Sequence, residues 1–428
     1  MAITRPEPTA DEQAFLAAVI AHPDEDTPRL MYADWLDENA GNLPGRDPTE
    51  VRARAEFIRG QIEASRFPPG DPNAKQLRAR VVEFAERYGE QWCSVDYCYI
   101  GGFTRGFPAL ASFEQLKHFC VCADELLARY PIQVIYASEF WEDTEEAEKV
   151  VTTCSHFSRI TGLGSTWRGW GGSRVTKALT NPHFANLRII DFNAADENGP
   201  EVGHGIAAAE HLTNLVVLDL SGNDLGNEGL EALARAKHLQ SLRALRLGAA
   251  DVGENYLGPD GIAALARSTW FPSLTQLVLD CNDIKDEGLE HILKAKWASN
   301  LTELNLACTA LTEEGLVTLA RSHRLTNLRR LDIAANRTTD AVAKAFLSAK
   351  GFPYLTELRF NNPEGLTLPS EELQTALRNR FGPATFPDDS FAPTAICVED
   401  KIRWRRQTLS YNRMTYTPPP PAEDCEVI

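Results

Sequence analysis

LVVLDLSGNDLGNEGL (Leu215–Leu230) returns in phase as LTQLVLDCNDIKDEGL (Leu274–Leu289) and LTELNLACTALTEEGL (Leu301–Leu316). The three share the template L-x-x-L-x-L-x-x-N-x-L-x-x-x-G-L, with Ile284 in place of a Leu in the second and Thr309 in place of the Asn in the last. Weaker copies begin at Leu187, Leu242, Leu328 and Leu355, and a degenerate one at Ile160. Successive starts are 27, 28, 27, 32, 27, 27 and 27 residues apart. A period held through so many copies marks a stack of like units. The one long step contains an extra segment around Gly253–Leu257, which reads as a loop insertion.

The pattern within one copy prescribes its structure. Leu218 and Leu220 are two residues apart and so face the same side of a short strand. Asn223 closes the strand, where its amide can bond backbone groups that the turn leaves unpaired. Leu225 re-enters the core, Gly229 suits a tight approach, and Leu230 and Leu233 share a helical face. Asp286 and Thr312 read as helix N-caps. One strand–helix unit cannot bury both of its apolar faces, but stacked units share a continuous core. The expected fold is therefore α/β: a solenoid with parallel strands on the concave side and helices on the convex side.

This array, over residues 160–381, resembles leucine-rich repeats of the ribonuclease-inhibitor type. Asn223, Asn282 and Asn336 stand at the ladder position, whereas Ala195, Ala250, Thr309 and Pro363 replace it elsewhere. Leu373, Leu377 and Phe381 read as a closing helical cap. Proteins with similar repeats include activators of the Ran GTPase, so the resemblance implies a GTPase-activating alternative, although no catalytic residue maps onto this chain.

Composition bounds the rest. The chain has 428 residues, 43% apolar and 24% charged, which is ordinary for a globular protein of about three units. Lys and Arg number 43 against 60 Asp and Glu, a net charge of −17, which argues against binding a phosphate backbone. No apolar run approaches the roughly 20 residues of a membrane span, and no secretory signal opens the chain. Nine scattered cysteines do not make a disulfide framework and point to a reducing, cytoplasmic setting.

The first 66 residues read as a small all-α domain. Phe15, Leu16, Val19 and Ile20 have helical spacing. Thr27 is the expected N-cap of a second helix with Pro28 at its first position, and a third helix runs from about Glu50 to Ser65. Leu30, Tyr32, Ala33, Trp35 and Leu36 supply apolar surface, while Asp34, Asp37 and Glu38 are expected in solvent. The string PDEDTPRLMYADWLDE, followed by AEFIRGQIE, resembles the bacterial repeat-companion domain, a helical module that precedes repeat arrays. The resemblance implies architecture and a bacterial source, and no catalytic activity. Residues 67–74 (FPPGDPN and Ala74) form a linker. Residues 75–159 read as a connecting and capping region or as early degenerate repeats, with helices expected at Lys75–Tyr88 and Phe113–Arg129. Residues 382–428 form a tail with a basic run, Lys401–Arg406, and prolines at 418–421.

Several constellations bear on chemistry. Cys93, Cys98, His118, Cys120 and Cys122 have poor metal-ligand spacing, and the 75–158 block is the only place for an unassigned enzyme or metal site. GLGSTWRGWGG (Gly162–Gly172) lacks both phosphate-loop and dinucleotide-loop spacing and reads as a loop in a degenerate repeat, with Trp167 and Trp170 as possible contacts. His204, Glu210 and His211 do not form a zinc motif. No catalytic residue, cofactor or metal is called for. The expected site is the concave face, where strand alternation puts Asp191, Asp219, Arg246, Gln276, Asp280, Glu303, Asn305, Arg330, Asp332, Glu357 and Arg359 on an open surface. Such faces bind macromolecules. The expected function is a non-enzymatic scaffold that docks a protein partner, basic by charge complementarity, with no nucleic acid or membrane partner.

Overall fold

The computed structural model describes residues 8–67, 71, 74–93, 98–139, 144–165, 171–193, 199–249, 254–360, 368–382 and 385–386. Trp167, Trp170 and the basic and proline runs of the tail lie outside these residues. Two compact units divide the chain, one holding the described residues up to Cys93 together with Ile100–Ala109, the other those from Leu110 onward.

The first unit holds four helices, α1 (Ala10–Ala21), α2 (Thr27–Asn39), α3 (Pro48–Ser65) and α4 (Lys75–Trp92). Helix α4 continues four residues beyond the expected end at Tyr88. Thr27 is not a cap but the first helical residue; Asp26 takes the cap position without a side-chain bond. Val19, Tyr32, Ala33, Leu36, Ile58 and Ile62 close the core, with Leu30 and Trp35 packed half-buried against it. Buried Glu12 is neutralised in place: the Tyr32 hydroxyl donates to it at 2.6 Å and Arg46 lies 3.0 Å away. Asp34 and Asp37 stay at the surface and hold Arg59 between them, at 2.7 and 2.5 Å. Strands β1 (Tyr99–Thr104) and β2 (Phe107–Gln115) are joined by the two residues Arg105 and Gly106. Both have positive φ, 51° and 87°, as a tight hairpin requires. A Cβ on Gly106 would come within 2.5 Å of Ile58, so glycine is needed there for space as well as for φ.

The second unit alternates strand and helix from Leu110 to its end. After β2 come α5 (Leu116–Arg129), β3 (Val134–Glu139), α6 (Glu145–Thr153), β4 (Gly162–Ser165), α7 (Gly172–Ala178) and β5 (Ile189–Asp191). They are followed by α8 (Gly199–Ala208), β6 (Val217–Asp219), α9 (Gly226–Ala234), β7 (Ala244–Arg246), α10 (Pro259–Arg267), β8 (Gln276–Val278) and α11 (Lys285–Lys294). The last elements are β9 (Glu303–Asn305), α12 (Glu313–Arg321), β10 (Arg330–Asp332), α13 (Asp340–Ser348), β11 (Glu357–Arg359) and α14 (Glu371–Phe381). From β2 to β11 the strands pair in chain order, and each of these pairings is parallel. Equivalent leucines stack in register, Leu218–Leu245–Leu277–Leu304–Leu331–Leu358, each no more than 1% exposed. Helices are wider than the spacing of about 4.8 Å between strands, so the stack curves with its strands inside.

Strand–helix alternation begins before residue 160. Strands β2 and β3 precede β4 in the same parallel ladder, and Phe113–Gln115, expected in a helix, complete β2. Phe113, Phe119, Phe157 and Phe184 form a ring-to-ring column, with centroids 5.7, 5.5 and 4.2 Å apart. At the far end Leu377 and Phe381 of α14 are buried as the closing helix, and Phe386 packs on Phe360.

Candidate functional site

The turns after β6, β7, β8 and β10 are held by buried amides. Asn282 donates to the carbonyls of Leu247, Leu279 and Asp280 at 2.9–3.2 Å and accepts from Leu257 N–H. Asn336 donates to Leu306 and Ile333 and accepts from Thr309 and Leu311 N–H. Asn223 donates to Phe192 and Ser221. In the repeat that starts at Leu242, Asn255 fills the ladder role; Ala195, Ala250 and Pro363 lie outside the described residues. The Asn255 amide donates to Leu220 and Gly248 carbonyls, and its oxygen accepts from Asn223 and Leu225 N–H. The five extra residues of that repeat therefore deliver an asparagine to the usual place. Thr309 keeps only part of the role, donating to Leu306 at 2.6 Å. Thr312 caps α12 as expected, accepting from Gly315 N–H. Asp286 does not cap α11; it lies inside that helix and accepts from Thr312 N–H at 2.9 Å, a bracket between repeats.

These turns fix the register of the face opposite the helices. One row runs Ile189, Val217, Ala244, Gln276, Glu303, Arg330, Glu357, and the next Asp191, Asp219, Arg246, Val278, Asn305, Asp332, Arg359. The expectation of an open surface needs correction for much of this set. Asp219, Arg246, Asp280, Glu303, Asn305 and Asp332 are buried; Asp191, Gln276, Arg330, Glu357 and Arg359 are half-buried. The cause is the spacing of the rungs. Side chains one strand apart in register touch along the row, and each polar group is drawn to its neighbour. Across the rungs Arg246 lies 3.8 Å from Asp219 and Arg330 is paired with Glu303, while within β11 Arg359 lies 3.7 Å from Glu357. Asn305 donates to Asp280 at 3.1 Å. Asp219, Asn305 and Asp332 each also accept from the backbone N–H two residues on. Burial pushes the Asp332 carboxyl up to about 7, against the Ala334 N–H and the Arg359 charge.

Tyr136, on β3, belongs to the same face. It lies across Gly164 of β4, where a Cβ would come 2.2 Å from its ring, and its hydroxyl donates to Asp191 of β5 at 3.0 Å. The string Ile132-x-x-Ile135-x-Ala137, 28 residues before Ile160, carried the signal for this rung. Short aliphatic side chains in place of leucine obscured it.

Elsewhere the candidate chemistry has local explanations. Cys93 packs against the core that includes Phe57 and Trp92 and donates to the Gly89 carbonyl. Cys120 and Cys122 bond carbonyls of their own helix. His204 pairs with Glu228 at 3.4 Å, and burial lowers the pKa of both His211 and His238. Among the described residues no group of three or more His, Cys, Asp or Glu side chains could hold a metal ion, and no helix is long and apolar enough to cross a membrane.

The profile of the family described as Leucine Rich repeat matches residues 211–234, 272–293 and 298–320. Those segments contain β6 and α9, β8 and α11, and β9 and α12. With the parallel rungs on either side, the second unit has the fold of a leucine-rich repeat solenoid. No curated protein matches it in sequence. Among solved structures, a Bacteroides fragilis protein is 15% identical, with 61% of this chain and 67% of that one covered and a TM-score of 0.35. A chain from the yeast Rad7–Elc1 complex is 14% identical, with 86% and 96% covered and a TM-score of 0.43.

Proposed function

We propose that this chain is a non-enzymatic scaffold that docks a protein partner on the strand face of its repeats. The observation that carries this reading is the register itself: short rungs align their side chains in two rows opposite the helices, and from β8 to β11 one row is wholly polar or charged, Gln276–Glu303–Arg330–Glu357. Extended solenoid faces of this kind recognise other macromolecules. The accessible part is smaller than the sequence suggests and centres on Asp191, Gln276, Arg330, Glu357 and Arg359, with Tyr136 at the early rungs. The net charge of −17 steers basic partners toward it. The helical unit is read as a bacterial repeat-companion domain on its PRLMYADWLDE string, which supports a cytoplasmic, bacterial setting and assigns that unit no chemistry of its own.

The test is a charge inversion that keeps the internal pairing. Glu303→Arg combined with Arg330→Glu exchanges the two ends of one ion pair, so the pairing is kept while the sign at each of the two positions reverses. A partner captured by the unaltered protein is expected to lose at least tenfold in affinity for the exchanged variant, with circular dichroism unchanged. Equal capture by both proteins moves recognition off this face and overturns the reading. Arg246 is unsuitable for such a test, because a carboxylate there would be buried against Asp219 and unfold the rung.

A further inference from the structure

Cys281 and Cys308 occupy the same position in consecutive repeats, three residues beyond the ends of β8 and β9. Both have left-handed backbone, with φ 56° and 54°. Their N–H groups make the same bond one rung on, Cys281 to Ala307 O and Cys308 to Ala334 O, each at 2.9 Å. Parallel register holds their Cα atoms one rung apart, about 4.8 Å, inside the roughly 4.4–6.8 Å that a disulfide spans. Cys308 is exposed and Cys281 half-buried.

We propose that Cys281 and Cys308 form a redox-active dithiol on the rim of the strand face, closed to a disulfide by a low-molecular-weight disulfide of the glutathione class. Cys308 is the attacking group. The neighbouring Cys281 thiol lowers its pKa to about 6, against partial burial and the charge of Glu254. Cys281 is pushed up by Cys308, by burial, and by Asp280 and Glu254, so it keeps its proton and resolves second. The Cys308 thiolate attacks one sulfur of the small disulfide; that S–S bond breaks and one thiolate leaves, giving a mixed disulfide. Cys281 then loses its proton to solvent, attacks the Cys308 sulfur and expels the second thiolate. Two protein thiols are oxidised, one small disulfide is reduced to two thiols, and the two protons released are taken up by the products. Cys120 is half-buried and Cys154 buried, away from this rim, so these two thiols serve as an internal control.

The experiment exposes the full chain to graded ratios of oxidised to reduced glutathione, quenches with acid, alkylates, and maps the cysteines by peptide mass spectrometry. The Cys281–Cys308 bridge is expected at ratios that leave Cys120, Cys122 and Cys154 reduced, and reduced glutathione is expected to reverse it. In Cys281→Ala the reaction stops at the Cys308 mixed disulfide, and the pH midpoint for alkylation of Cys308 rises from about 6 by about two units toward an ordinary thiol. In Cys308→Ser, Cys281 stays reduced under the same conditions, which provides a second arm if the alanine variant folds poorly. The proposal is overturned if the unaltered protein stops at the mixed disulfide, or if Cys120–Cys154 oxidises first.

Discussion

A carboxylate with almost no exposure is costly unless its environment supplies what water did. Asp332 is 2% exposed, and the Ala334 N–H and the Arg359 charge do not offset its desolvation. Its folded pKa, about 7, stands above the ordinary value of 3.8, so between those values the folded chain holds a proton that the unfolded chain has released. Stability therefore falls as pH rises through that window and stays low above it. Asp332→Asn keeps the acceptor for Ala334 N–H and removes the titration. In urea melts at pH 5 and pH 8, the unaltered protein is expected to lose on the order of 1–3 kcal/mol more than the variant over that interval. Parallel pH profiles would show that the carboxyl titrates normally. Asn255 makes a second case. Read in sequence it falls in an insertion, yet it is fully buried and makes four backbone bonds. Asn255→Ala is expected to cost as much as Asn282→Ala, about 2–3 kcal/mol, because each leaves buried backbone groups without partners. A cost near zero, measured by denaturant midpoint, would return Asn255 to the status of a loop residue.

At the scale of elements, the helices of the first unit pack around buried arginines as well as apolar side chains. Arg54 of α3 is 6% exposed, with its guanidinium 4.7 Å from the Trp92 ring and 5.1–5.7 Å from those of Phe107, Phe103 and Phe57. A guanidinium stacks flat on aromatic rings and is more weakly hydrated than an ammonium, so its burial among them costs less. Arg54→Lys is expected to destabilise this unit by about 1–2 kcal/mol, seen as an earlier loss of near-ultraviolet tryptophan signal. Arg29 of α2 is treated the same way, over Phe107 at 5.1 Å, with burial lowering its pKa to about 10. Helix positions were legible here because Pro28, the helical spacing of Val19 and Ile20, and the 28–36 string all act within a few residues. The arginines' burial was not legible, because Trp92, Phe103 and Phe107 come from later segments of the chain. The same limit applies to β2 and β3. Ile132, Ile135 and Ala137 are apolar but not leucine, so the rung shows only once β4 pairs with it.

Over the whole array, each repeat touches only its neighbours, so stability is a sum of similar terms and the ends matter most. Helix α14 closes one end with Leu377 fully buried and Phe381 3% exposed. Leu377→Ala is expected to cost about 2–4 kcal/mol. Its effect should be graded along the chain: hydrogen exchange accelerates in β11 and α13 first and leaves β6 and β7 unchanged. Uniform acceleration through all rungs would mean that the repeats unfold as one cooperative block.

The amino-acid sequence by itself determined the repeat, its period, the strand that opens each unit and the apolar core. These follow from local spacing of side chains, which repeats whether or not the chain has folded. It also determined the ladder role of Asn223, Asn282 and Asn336, because a polar amide between two inward apolar residues has only backbone to bond. Tertiary structure decided what the strand face can offer a partner. Alternation says which way Asp219, Arg246, Asp280, Glu303, Asn305 and Asp332 point, but their burial arises only when rungs about 4.8 Å apart press these side chains together. It likewise decided that Asn255 would serve the ladder, that Tyr136 would join the face, and that Cys281 and Cys308 would meet. Each of these is a relation between residues at least one repeat apart, and it exists only once the stack has closed.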